Sequence, residues 1–445
     1  MLGYYVRLAF KSFRRTPGLT ALMVGAIGFG IAACIVTLTE YHTMSGNPIW
    51  WKNNVLYAVT MDSWDRNQPY DSSHPKLPPD MLTYRDATYL YGSDIPERKT
   101  LLAFLLGTLS GAPGQTRPLP AMTRATTAGF FHMFDVPFEY GGPWSAAADR
   151  GPEPVIVLSR RENDKLFGGA DSVGHTIRWD NLRFRIVGVL NHWDPQPRFY
   201  DLTPGGGGNF GRPARAFVPF RWGPTLHRWP MGTKSCWGSA SPHSYRQLLG
   251  SNCVWITMWV QLPTAARRER FLNFTNAYWA QQRKVGRFQR PRNNHLWKVS
   301  RWLTIHHVVT NGSRLLLQLA FAFLAVCLIN TIGVLLAKFL RGASISGIRR
   351  ALGARRRQIF AQHLVEVAAL SLVGSALGLA LGALGLQGVH AMYAHTGNSY
   401  GAVAHFDPAG VLWALALAAL STLLAGLYPA WRIGRVSPAA YLKSQ

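Results

Sequence analysis

With 445 residues and a formal charge of +26, the chain has room for two or three domains and a large excess of Lys and Arg over Asp and Glu. Such a charge raises nucleic-acid binding, but 48% of the chain is hydrophobic, and its clustered positives are too short to form a domain of their own. Nucleic-acid binding is therefore the weakest reading.

Residues 1–18, "MLGYYVRLAFKSFRRTPG", predict a cytoplasmic amphipathic helix. Tyr5, Leu8, Ala9 and Phe13 recur near helical spacing, while Arg7, Lys11, Arg14 and Arg15 take the remaining face, which suits the inner leaflet of a membrane. Pro17-Gly18 then turns the chain.

Four uncharged windows follow, at residues 19–39, 315–337, 367–389 and 408–431. A bilayer core of about 30 Å needs about 20 apolar residues at helical rise, and each window is that long. They predict transmembrane helices at 19–40, 314–338, 360–389 and 408–430. "IAAC" at residues 31–34 resembles a lipoprotein cleavage box, so a cleaved signal is an alternative for the first. The apolar run continues past Cys34, however, and Trp50 and Trp51 follow as interfacial anchors would. Basic flanks precede the first window, separate the second from the third and follow the fourth, whereas 390–407 holds no Lys or Arg. By the positive-inside rule both termini (with the tail 431–445) and the loop 339–359 are cytoplasmic, and 390–407 is a short periplasmic loop.

The segment 41–313 then lies outside, as a periplasmic domain. Residues 154–159, 183–190 and 254–262 are rich in β-branched residues and predict strands; "RENDKLFGG" and "ARRERFLNFTNAYWAQQRK" predict helices. The mixture is α+β, in two subdomains joined by the glycine-rich loop 203–215. Cys236 and Cys253 both fall here, where an oxidising compartment permits a disulfide; the sequence leaves bridged and free states open. Cys34 and Cys327 lie in spans and read as packing residues.

No catalytic, cofactor or metal site is nominated. "GADSVGHT", residues 169–176, misses a phosphate-binding loop by placing His175 where the pattern needs lysine, and reads as a turn into a strand. No HExxH or His/Cys cluster at zinc spacing occurs, and "GNSYG" at 397–401 lacks the strand and helix that an esterase elbow needs. Glu366, an acid beside the third span, reads as a structural ion pair or hydrogen bond rather than a proton relay. In that span Gly374, Gly378 and Gly382 recur every fourth residue, as on a close helix-packing face.

The stretch "SGIRRALGARRRQIFAQHLVEVAALSLVGSALGLALG" resembles the region between the second and third spans of the FtsX-like/MacB-like ABC transporter permeases. "FDP" with "LYPAWRIGRVSPAAYLKSQ" is similar to that family's C-terminus, and "FFHMFDVPFEYGG", "PVIVLS", "LFGGADSVGHTIRW" and "FRIVGVL" to its periplasmic core domain. The resemblance implies a membrane α-helical protein with four transmembrane helices and a large α+β extracytoplasmic (periplasmic) domain inserted between helices 1 and 2, in a bacterial inner membrane. It implies a noncatalytic permease subunit, in a dimer with a second permease, driven by a separate ABC ATPase, and efflux with a periplasmic adaptor and an outer-membrane channel. Lipoprotein release or cell-envelope signalling is the alternative within the family, and a membrane-anchored periplasmic enzyme the alternative outside it.

The resemblance places the ATPase-coupling helix at Gly347, Ile348, Arg349, Arg350, Ala351, Leu352, Gly353, Ala354 and Arg355, with Ile359 as a further apolar contact. Its arginines would meet acidic ATPase surface or lipid phosphates, and they also serve as a topology signal. The family commonly has a glutamate where this chain has Ile345, between Ser344 and Ser346. That departure points to pairing with a second, non-identical permease.

Overall fold

The computed structural model describes residues 2–111, 117–151, 153–202, 209–211, 213–232, 234–238, 241–341, 348–349 and 352–394, with 412, 416, 426–427, 429 and 431 beyond them. The chain divides into two compact units, one of Met1–Ser45 with Val309–Gln445 and one of Gly46–Val308.

The first unit is helical. An N-terminal helix, Leu2–Arg15, precedes three long helices at Pro17–Ser45, Asn311–Arg341 and Arg356–Ala394. All three are long and apolar enough to cross a membrane. The first long helix runs unbroken through residues 31–34, and Cys34 Sγ packs 3.5 Å from the Ala320 carbonyl oxygen of the second. Ile27, Ile31 and Ile35 pack with Ala320 and Leu324 in one cluster; Met23, Leu335, Phe339, Ile359 and Val367 form another, which draws on all three helices. The fourth expected span at 408–430 and the "GNSYG" match lie outside the described residues, apart from a few isolated positions. One of these, Gly426, is buried against Val367.

The second unit is built on a mixed sheet with eleven strands among the described residues. Its central pairings are antiparallel: Leu56–Thr60 with Val254–Gln261, that strand with Arg98–Ser110, and that with Leu119–Thr126. Ala216–Pro219 adds in parallel to Leu119–Thr126, and Val155–Leu158 in parallel to Leu182–Leu190. Alternation along the strands serves two cores. Leu101, Ala103, Ile256, Met258 and Val260 face one, with Trp179 and Phe184. Leu102 and Trp259 face the other, with Phe130, Phe217 and Trp302. Every residue of Val254–Gln261 is buried, which is why this strand reads as a nearly continuous apolar run. Residues 160–167 form the helix ended by Gly168 in the left-handed conformation, and "GADSVGHT" is a turn entering the strand Thr176–Trp179. Cys236 and Cys253 are joined by a disulfide. Residues 203–208 lie outside the described part.

Candidate functional site

The stretch preceding the third long helix forms a compact turn. Leu352 N–H donates to the Ile348 carbonyl at 3.0 Å and Ala354 N–H to the Arg349 carbonyl at 3.0 Å. Gly353 closes the turn at φ +97°, a conformation that a side chain rarely adopts. Arg355 N–H then donates to Gln358 Oε1 at 2.9 Å, which caps the start of the helix. One more bond ties the turn down: Arg349 Nη1 donates to Gln362 Oε1 at 2.7 Å.

The consequence is an apolar pair presented outward. Ile348 is 53% exposed and Leu352 83% exposed, with Arg355, Arg356 and Arg357 exposed beside them. Leucine and isoleucine held out of a pinned turn cost free energy unless another surface covers them. Ala354 instead packs inward against the cluster around Met23 and Phe339. Gly347, Arg350 and Ala351 of the expected coupling segment, like Ser344, Ile345 and Ser346, lie outside the described residues. Ile359 corrects the sequence reading. It is 3% exposed and packs among Met23, Leu335, Phe339 and Val367, because it falls on the inward face of the first turn of Arg356–Ala394. It belongs to the helix core and offers nothing to a partner.

Two turns further along the same helix, Glu366 is the centre of a polar anchor. Lys338 Nζ of the second long helix stands 2.7 Å from Glu366 Oε1, with the two side chains 6% and 5% exposed. Ser12 Oγ of the N-terminal helix donates to the same oxygen at 2.6 Å. His363 Nδ1 lies 3.7 Å from Oε2, its ring beside Phe339. The Lys338 ammonium also sits 5.0 Å from the centre of the Phe13 ring. Buried charges are tolerated only when paired in this way. One carboxylate thus binds three separate helices together. From residue order Glu366 calls for a structural partner without identifying it. The signal was there in Lys338, a cation at the end of an apolar window.

The N-terminal helix packs accordingly. Ala9 is buried, Tyr5, Leu8, Ser12 and Phe13 are half-buried, and Arg7, Lys11, Arg14 and Arg15 are exposed. The glycine stripe of the third long helix meets the first. A Cβ built on Gly374 would lie 2.8 Å from Ile27 Cγ2, one on Gly378 2.8 Å from Ile31 Cβ, and one on Gly382 3.2 Å from Ile35 Cγ2. No group of three or more His, Cys, Asp or Glu suited to a metal occurs among the described residues.

Three helices long and apolar enough to cross a membrane, joined in one chain to a large mixed-sheet domain, define a multi-span membrane protein with a substantial domain outside its helical unit. Residues 20–271 match the profile of the MacB-like periplasmic core domain, and residues 318–438 that of the FtsX-like permease C-terminal region. The chain belongs to the FtsX/MacB-like ABC transporter permease family, whose members are membrane proteins with a periplasmic domain. It is 21% identical over 457 aligned residues to the macrolide export ATP-binding/permease protein MacB of Wolinella succinogenes, covering 99% of this chain and 60% of that one. It is 24% identical over 432 residues to the pyoverdine export ATP-binding/permease protein PvdT of Pseudomonas syringae pv. tomato, covering 96% of this chain and 57% of the relative. The chain thus spans less than two thirds of the length of these relatives. The crystal structure of the periplasmic region of MacB from Actinobacillus actinomycetemcomitans aligns with 59% of this chain and 96% of its own, at 11% identity and a TM-score of 0.36.

Proposed function

We propose that the chain is the permease subunit of an ABC exporter, and that it passes the nucleotide-driven motion of a separate ATPase to its periplasmic domain. The carrying observation is the turn at Ile348 and Leu352. It offers apolar contact ringed by arginines, and it is joined through the start of the third long helix to Glu366, Lys338 and Ser12. A push on this turn reaches three helices through one buried carboxylate rather than dissipating in a loose loop. In this reading the turn, the anchor and both termini are cytoplasmic and Gly46–Val308 is periplasmic, the arrangement that the basic flanks favour. Apolar anchors within a polar rim suit a protein partner, and the arginines suit acidic surface on it.

Export is the direction that the relatives' names support, and the same resemblance supports a second permease, an adaptor and an outer-membrane channel as partners. The chemistry of ATP hydrolysis belongs to the partner. Purification of the full chain from its native membrane in mild detergent, followed by mass spectrometry, tests this. An ABC ATPase recovered in stoichiometric amount is expected, with an adaptor if the system is a tripartite pump. Recovery of the chain with no ATPase, in a preparation that retains its other partners, would contradict it.

A further inference from the structure

In the Gly46–Val308 unit, a cleft of about 450 Å³ opens between residues 73–77 and the end of the helix Val299–Ile305. Its volume is in the range of small-molecule sites, roughly 300–1,000 Å³. Leu77, Pro75 and Ile305 give it an apolar floor, while Lys76, Arg301 and two histidines stand around it, with no acidic side chain among its lining residues. Neither Lys76 nor Arg301 has an acidic side chain at ion-pair distance among the described residues. Two unpaired cations over an apolar floor complement a ligand with a negative head and an apolar body.

The wall of the cleft is preformed. Arg290 Nη2 donates to the Pro75 carbonyl at 2.8 Å, and Asn293 Nδ2 to the Lys76 carbonyl at 2.9 Å. His74 Nδ1 and Asp71 Oδ2 are 2.9 Å apart, and His74 Nε2 and His307 Nε2 are also 2.9 Å apart. The Asp71 carboxylate can only accept, so His74 Nδ1–H donates to it, and a proton on one of the two Nε2 atoms completes the contact with His307. These two contacts engage Asp71 and tie the two sides of the cleft together, while Asp62, the other acid beside the wall, is engaged by Arg290 and Asn293. His307 is held at φ +48°, in the left-handed region that histidine enters more readily than most residues other than glycine.

We propose that this cleft binds a single-chain anionic amphiphile, with its carboxylate or sulfonate between Lys76 and Arg301 and its alkyl or aryl body on Leu77 and Ile305. The site stands on its own geometry and does not require that the ligand be the exported cargo. The occupant is a free small molecule rather than a bilayer phospholipid, because a cleft of this volume takes one chain and not a diacyl body.

The test uses the full chain in nanodiscs of neutral phosphatidylcholine and a diazirine-bearing decanoate as photolabel. Saturable labelling of residues 73–77 and 301–307 is expected, displaced by free decanoate and not by decylamine. Lys76→Glu with Arg301→Glu should weaken it at least about tenfold, since each such factor corresponds to one modest interaction. Thr304→Trp, which fills the cleft and leaves both cations, should abolish it. Labelling insensitive to both variants, or displaced equally by decylamine, would overturn the proposal. Displacement by anionic phospholipid in the nanodisc, with decanoate without effect, would equally overturn it by assigning the cleft to the bilayer. Unchanged melting behaviour of the variants separates loss of binding from loss of fold.

Discussion

Ile31 and Gly378 meet so closely that a Cβ on the glycine would lie 2.8 Å from the isoleucine Cβ and 3.0 Å from the Gly28 carbonyl oxygen. The contact is one of three in register, Gly374 with Ile27 and Gly382 with Ile35 being the others. Gly378 faces a backbone carbonyl as well as a branched side chain, so neither neighbour can give way cheaply. Small residues in such a stripe let two membrane helices approach without a hydrophobic driving force between them.

The stripe therefore grades its own substitutions. Gly378→Ala should destabilise the purified protein by about 1–3 kcal/mol, the cost of overpacking, and Gly374→Ala by a similar amount. Gly382→Ala, whose nearest neighbour is at 3.2 Å, should cost less. Thermal unfolding in detergent reads the order. Equal or reversed costs would show that the two helices do not pack in this register.

Glu366 and Lys338 should behave as one unit. Glu366→Gln or Lys338→Met alone leaves its partner unpaired in a buried site and should cost about 3 kcal/mol or more. The double variant Lys338→Met with Glu366→Gln should recover much of that loss. A double-mutant cycle in chemical denaturation measures the coupling, and additive losses would contradict a shared ion pair.

His306 gives the periplasmic-type domain an acid-sensitive point. Burial against Trp302, with His307 adjacent, pushes the His306 imidazole down to about 4. A histidine whose folded value is lowered is neutral in the native state while the unfolded chain takes up a proton near its ordinary value of 6.5. Its stability contribution is complete above about pH 6.5 and lost as the pH falls toward 4. His306→Leu should flatten stability across that window relative to the unsubstituted chain. An unchanged pH profile would contradict the assignment.

The Cys236–Cys253 bridge closes a loop of sequence separation 17. A loop of that length is worth about 3 kcal/mol in the chain-entropy account. Cys236→Ser with Cys253→Ser should lower the stability of the domain by about that much, and peptide mapping under non-reducing conditions should recover one linked pair. Free thiols in both peptides would contradict the pairing.

Much of this architecture is legible in residue order, and the rest fails for identifiable reasons. Uncharged windows locate the three described long helices because a membrane span is a local property of composition and length. The glycine repeat announces a packing face, but only the fold shows that Ile27, Ile31 and Ile35 on another helix match its four-residue period. Strands such as Val155–Leu158 and Leu182–Leu190 carry β-branched residues and can be read directly. The long strand Arg98–Ser110 is dominated by leucine, which lacks that signal, and it is fixed by its pairing with Val254–Gln261. Ile359 reads as part of an exposed basic turn until the helix start at Arg356 sets its direction. Lys338 and Ser12 reach Glu366 from positions 28 and 354 residues away in sequence, and no local pattern links them.

What Ile348 and Leu352 hold can be read by capturing the chain with its partner. Membranes carrying the chain or its Ile348→Glu, Leu352→Glu variant are solubilised, the chain is captured, and ATP hydrolysis in the captured material is measured. The account predicts ATPase activity from a co-captured partner with the natural chain and its loss with the doubly charged variant, at unchanged thermal stability. Full activity retained with the variant, or hydrolysis by the chain alone, would contradict it.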